Sequence, residues 1–184
     1  MVRALPANYF EFLDLPEKLS LDAKDLEKRF YALSRVWHPD RFARASHSEQ
    51  QRALESSSLL NDAYRTLREP VSRAEYLLSM RAVDPGDAKK VPPDLLEEVF
   101  EFNMALEELK SGDTGALPQL RAALLVFQAK LAEVDRKMSA LFDAWDDSAG
   151  MEVLQHLRLC LNHRKYISNL VRETDKALEN HVSD

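Results

Sequence analysis

Along most of this chain, apolar residues recur at spacings of three and four, the period of one buried helical face. Ala23, Leu26, Phe30, Leu33 and Trp37 form one such series, and Ala53, Leu60, Ala63, Tyr64 and Leu67 a second. A shorter one, Ala74, Leu77 and Leu78, precedes a heptad-like stripe of Leu95, Val99, Phe102, Leu106 and Leu109. Two long periodic stretches follow, over 117–146 and 149–178. No alternating strand pattern or internal repeat stands out. Residues between the series predict where helices begin and end. Asn8 caps a short first helix ending near Leu15-Pro16. Ser20 or Asp22 caps the helix that reaches Trp37, and Ser46 or Ser48 the next, each side-chain oxygen meeting a free backbone N–H. Glu69-Pro70 breaks the chain before a helix over 71–80, and Pro93 suits the first turn of a helix over 93–110. Ser111-Gly112-Asp113-Thr114-Gly115 ends that helix, and Asp147-Ser148 with Gly150 marks the bend between the last two. The expectation is an all-α chain in two parts: a helical hairpin with short flanking helices in 1–80, and a three-helix antiparallel bundle in 93–184. Residues 81–92, turn formers and charge without periodicity, read as the linker.

Composition narrows the function. Four glycines among 184 residues suit helices with few tight turns. One cysteine rules out an internal disulfide framework and a four-cysteine metal site within one subunit. The net charge of −6 argues against nucleic acid as the main partner. That charge is uneven: residues 1–91 carry 15 Lys/Arg and 14 Asp/Glu, whereas 92–184 carry 10 and 17. The two halves are therefore expected to face different partners. Met1 to Asn8 lacks an apolar signal core, and no stretch approaches the ~20 apolar residues of a membrane span, so no membrane partner is expected.

His38-Pro39-Asp40 carries the sharpest signal, because it lies between the first two long periodic series. Proline disfavours helical geometry in the residue before it and lacks an N–H, so the first long helix stops near Trp37 and leaves His38 and Asp40 on the tip of a hairpin. On the helix before the tip, Lys24, Lys28 and Arg35 fall on one face, opposite Leu26, Phe30 and Leu33, and Arg41 and Arg44 lie just beyond. A solvated polar face is the bland reading of that stripe. Histidine is a residue type that serves as a general base, so His38 is a candidate for that role. No serine or cysteine nucleophile lies nearby in an activating pattern, however, and no glycine loop is present to hold a phosphate.

With the aromatic-rich Tyr9-Phe10-Glu11-Phe12-Leu13 upstream, this arrangement resembles the J-domain of DnaJ-type co-chaperones. Pro70-Val71-Ser72-Arg73-Ala74-Glu75-Tyr76-Leu77-Leu78, the polar linker and the all-helical remainder resemble the HscB family, the J-proteins of iron–sulfur cluster assembly. The resemblance covers essentially the whole chain. It implies a regulator rather than an enzyme, with a DnaK/HscA-type ATPase chaperone as one partner. Lys24, Lys28, Arg35 and Arg41 would then dock on an acidic patch of that ATPase, and His38, Pro39 and Asp40 would form a rigid recognition tip, with the carboxylate pairing to a partner arginine. The second implied partner is an IscU-type iron–sulfur scaffold protein.

The helix after Pro93 carries a second apolar line, Leu96, Phe100 and Met104, turned away from the core stripe and flanked by Glu97, Glu101 and Glu108. A wide core contact would explain it, and so would an exposed patch ringed by acids, the mark of a protein-binding surface. The family resemblance implies the latter. Leu96, Phe100, Glu101 and Glu108, with Leu159 on the last helix, match its scaffold-contact positions, while Glu97 stands where the family commonly has methionine and Met104 where it has an acid. His156, Cys160 and His163 share one face of the last helix, but no fourth ligand is evident and the three span more than one ion needs. No metal or cofactor is therefore expected, and cluster chemistry stays with the scaffold. A general J-protein with another client, or a structural or oligomerisation protein with a degenerate J-domain, are the alternatives. A bacterial cytoplasmic location is expected, with the mitochondrial matrix as the other possibility.

Overall fold

The computed structural model describes residues 7–87 and 90–180. Seven α-helices run in chain order as α1 Tyr9–Phe12, α2 Ala23–Val36, α3 His47–Arg68, α4 Pro70–Met80, α5 Leu96–Lys110, α6 Leu117–Ser148 and α7 Met151–Glu179. Single 3₁₀ turns occur at Pro39–Phe42, Pro93–Leu95 and Thr114–Ala116, and no strand forms among the described residues. The all-α class follows. Two compact units divide the chain. One holds the described residues up to Val83 together with Phe142–Gly150, and the other holds Asp84–Leu141 with the residues from Met151 onward.

In the first unit α2 and α3 pack as a hairpin. Phe10, Leu13, Leu26, Ala53, Leu60, Ala63, Leu67, Ala74, Leu77 and Leu78 are buried. Phe30 stacks on Tyr64 at 4.2 Å between ring centroids, and Tyr9 on Tyr76 at 4.4 Å. The expected inward face of α2 is only partly buried: Leu26 is enclosed, Phe30, Leu33 and Trp37 are intermediate, and Ala23, the first helical residue, is exposed. The first helix stops at Phe12 rather than Leu15, because Asp14 adopts φ 53° and the Leu15 N–H bonds back to the Phe10 carbonyl. A residue in the left-handed region ends a helix in this way. Arg29 holds the turn by donating to the Asp14 carbonyl and carboxylate.

Capping choices left open by the sequence are resolved by competing partners. Asp22 caps α2 by accepting from the Lys24 N–H, whereas the Ser20 hydroxyl donates to Asp143. Ser46 caps α3 in a reciprocal capping box with Glu49. The place of Phe142–Gly150 in this unit departs from the sequence reading, which assigns all of 93–184 to the bundle. Trp145 is buried and its Nε1–H donates to the Glu17 carbonyl at 3.3 Å. The Asp146 carboxylate accepts from the Leu19 and Ser20 N–H groups at 2.7 and 2.9 Å. These contacts bridge more than 120 residues of sequence, which no local pattern reveals.

The second unit is an antiparallel bundle of α5, most of α6 and α7. All five residues of the predicted core stripe, Leu95, Val99, Phe102, Leu106 and Leu109, are buried in one cluster with Leu120, Phe127, Val134, Ile167 and Leu170. Phe102 meets Phe127 edge to face at 5.7 Å. Lys130 on α6 pairs with Glu98 on α5, and Arg164 on α7 with Asp135 on α6. Part of the predicted linker is built into this unit: Val91 packs on the core, and the Asn162 amide donates to the Pro85 carbonyl. Residues 88 and 89 of that linker lie outside the described residues, as do 1–6 of the first predicted part and 181–184 of the predicted bundle.

Candidate functional site

Two separate surfaces carry the sequence-predicted residues, one on each unit. The first is the tip between α2 and α3. His38 has extended backbone angles and precedes Pro39, which opens the 3₁₀ turn where its missing N–H costs no hydrogen bond. The His38 Nδ1 accepts from the Asp40 N–H at 3.3 Å and lies 3.6 Å from the Asp40 carboxylate. Both side chains are exposed. The turn is held from behind. Trp37 stacks parallel to Phe42 at 6.4 Å, and the Gln50 amide donates to the Ala43 and Ala45 carbonyls. The Arg41 guanidinium donates to the Arg35 carbonyl at 3.1 Å, satisfying an acceptor at the C-terminal end of α2.

Arg41, expected as part of a docking surface, thus also has a local structural partner. Lys24, Lys28 and Arg35 are exposed on α2, and none forms an ion pair among the described residues. Arg29 lies off that face and is occupied by Asp25 and Asp14. Sequence reasoning missed Tyr31, a 54% exposed aromatic between Lys28 and Arg35 at helical spacing. The same three-and-four spacing that groups the cations would have found it. It also missed Gln50, whose partners are set by the loop conformation.

The second surface is on α5. Leu96, Phe100 and Met104 are 58%, 66% and 52% exposed, which decides the choice between core contact and patch in favour of a patch. Glu97, Glu101 and Glu108 are exposed beside it and form no ion pair among the described residues. Glu98 differs. The Lys130 ammonium bonded to it holds its carboxyl below the usual carboxylate range, so this acid is committed to the fold. Leu159, 66% exposed on α7, lies one turn before His163, whose Nε2 is 3.5 Å from the Asp94 carboxylate just ahead of α5. That approach is not aligned as a hydrogen bond, and the ring nitrogen is left without one.

Beside Phe100 and Met104 a groove of about 470 Å³ opens between α5 and α6. Ala105, Ala122 and Ala123 lie along it, Val126 stands on the α6 side, and Glu101 and Glu108 lie on the α5 side. The sequence gives little sign of this groove, since it depends on which face of α6 meets α5.

The three residues weighed as metal ligands are placed apart in role. His156 is exposed, the half-buried Cys160 thiol lies 3.7 Å from the Val134 carbonyl, and His163 faces Asp94. Burial pushes the Cys160 thiol above its ordinary pKa, away from the thiolate a metal would require. Among the described residues no group of His, Cys, Asp and Glu has the geometry to hold an ion. No helix among them is long and apolar enough to cross a membrane.

Comparison with known proteins places these surfaces in context. The DnaJ domain family matches residues 8–76. An HscB co-chaperone homologue from Vibrio cholerae serotype O1 is 38% identical over 131 residues, covering 70% of this chain and 74% of the relative. One from Azoarcus sp. is 32% identical over 179 residues, covering 95% and 96%. Among solved structures, the chaperone HscB from Vibrio cholerae superposes with a TM-score of 0.65 at 28% identity, covering 94% of this chain and 98% of that one. The human co-chaperone HscB superposes at 0.71 with 25% identity, covering 99% and 86%.

Proposed function

The chain belongs to the HscB family of J-domain co-chaperones, and on that premise we propose that it is an adaptor carrying an iron–sulfur scaffold protein to its chaperone. As a J-domain co-chaperone it works on an Hsp70-class ATPase and is not itself an enzyme. The finer assignment is of surfaces to partners. Lys24, Lys28, Arg35 and the His38-Pro39-Asp40 tip face the ATPase, of the DnaK/HscA type. Leu96, Glu97, Phe100, Glu101, Met104 and Glu108, with Leu159, face an IscU-type scaffold. Residues up to about 80 serve as the J-domain and the bundle as the capture module. Linking the two in one chain raises the effective concentration of scaffold at the ATPase. We place the protein in the bacterial cytoplasm, in keeping with its many bacterial relatives.

One observation carries the adaptor reading. A chain with a J-domain tip also leaves three large apolar side chains of α5 exposed beside acids with no internal partner. Such residues add nothing to the core, and their exposure is accounted for by a partner. The test is the double substitution Leu96→Ala and Phe100→Ala. Scaffold affinity should fall by about 2 kcal/mol or more, in the range of interface hot spots. Thermal stability should change little, because both side chains are more than half exposed. Unaltered binding of a purified IscU-type scaffold by this variant would overturn the assignment of α5.

A further inference from the structure

Resting on the scaffold reading of α5, we propose that the groove between α5 and α6 is a second, specificity-setting subsite, which takes one large apolar side chain from a cationic segment of that same partner. Nothing in the α5 line requires this, since a flat helix face could bind alone. Three features of the groove point to it. First, Phe100 and Met104 form its α5 side while more than half exposed, so the proposed partner surface runs into it without a break. Second, three of the residues along it are alanines, beside Phe102 and Gln119. Ala105 from α5 and Ala122 and Ala123 from α6 leave about 470 Å³ open, where larger side chains at these positions would close the gap between the helices. Val126, 40% exposed, extends the apolar surface on the α6 side, and Leu125 beside it is 67% exposed.

Third, the charge at the groove has one sign. Glu101 and Glu108 face it from α5 and have no ion pair among the described residues. Glu98 also contributes to the lining, but Lys130 neutralises it, so the uncompensated charge sits on the outer two acids. An acidic rim around an apolar floor discriminates against an acidic or purely polar segment and favours Lys or Arg flanking an apolar anchor. A second copy of this chain fits less well, because its own α5–α6 face would bring the same acids against these.

The test uses the full-length chain and a purified IscU-type scaffold, with binding read by calorimetry in parallel with thermal melting. Ala122→Phe, which fills the groove from an exposed position, and Val126→Arg, which places a cation in it, should each weaken scaffold binding tenfold or more. Glu101→Lys with Glu108→Lys should weaken it comparably and flatten its salt dependence. If Ala122→Phe lowers the melting temperature, the exposed Val126→Arg alone carries the test of the groove. Wild-type affinity in Val126→Arg overturns the subsite whatever Glu101→Lys/Glu108→Lys does, because those acids also belong to the α5 face, whereas the scaffold reading itself stands or falls separately on Leu96→Ala/Phe100→Ala. Concentration-dependent dimerisation of the wild type that Val126→Arg abolishes would assign the groove to a second copy and overturn the proposal as well.

Discussion

His38 and Asp40 illustrate how much of the tip is geometry and how little is chemistry. The imidazole accepts one hydrogen bond from the Asp40 backbone, and the carboxylate stands 3.6 Å away, exposed to solvent. Neither lies against a nucleophile or is enclosed in a cavity, so what the tip offers a partner is a fixed arrangement of donors and acceptors. Changing His38 to Gln or Asp40 to Asn removes that arrangement while leaving every α-helix its caps and core contacts. Either variant should lose stimulation of a DnaK-type ATPase in a single-turnover assay, with an unchanged far-ultraviolet circular dichroism spectrum. Retained stimulation would sink the role of the tip. The position of these residues at the end of α2 was legible from the sequence because proline forces a stop. The latch behind them was not: Arg41 reaching back to Arg35, and Gln50 reaching two loop carbonyls, depend on a 3₁₀ turn that the local pattern does not encode.

Among the elements, α5 was the most legible and α2 the least. Four stripe residues of α5, with Leu95 just before it, are buried together as their regular spacing predicts, whereas the exposure of Leu96, Phe100 and Met104, which the spacing left open, is decided by the packing. On α2 the same spacing overstated burial. The helix packs chiefly on α3, and most of its inward residues end half-covered. Its outer face, with three cations and Tyr31, is set apart from Arg29, which Asp25 and Asp14 neutralise. Charge on that face is therefore free to steer an acidic partner. Reversing Lys28 to Glu should slow association with the ATPase roughly tenfold at low salt. In the wild type the rate should fall as ionic strength rises, because exposed charges are screened beyond ~8 Å under physiological conditions. A stopped-flow rate insensitive to both changes would count against electrostatic docking by α2.

At the scale of the whole molecule, the boundary in space does not follow the boundary in sequence. Phe142–Gly150 lies at the corner of α6 and α7, yet it is part of the first unit, with Trp145 buried and Arg81 5.7 Å over its ring. The linker composition at 81–92 suggested a clean cut, because a sequence window cannot register a tryptophan that arrives from 128 residues away. Trp145→Ala should destabilise the first unit by about 3–5 kcal/mol, as for other large aromatic truncations. Hydrogen exchange would locate the loss. Amides of α3 should lose protection while those in the middle of α7 keep theirs, and equal protection of α3 in wild type and variant would show that the corner contributes nothing.

That corner also sets an order of events at the ribosome. Domains commonly fold as they emerge, N-terminal part first, at roughly 5–20 residues per second. Here the hairpin bearing the tip is complete at Arg68, 77 residues before Trp145, whose burial completes its packing, a lag of about 4–15 s. For that interval the nascent chain displays a J-domain lacking its last buried side chain. The completed unit becomes available only after α5 and most of α6 have been synthesised, so maturation of the unit bearing the tip waits on translation of the other.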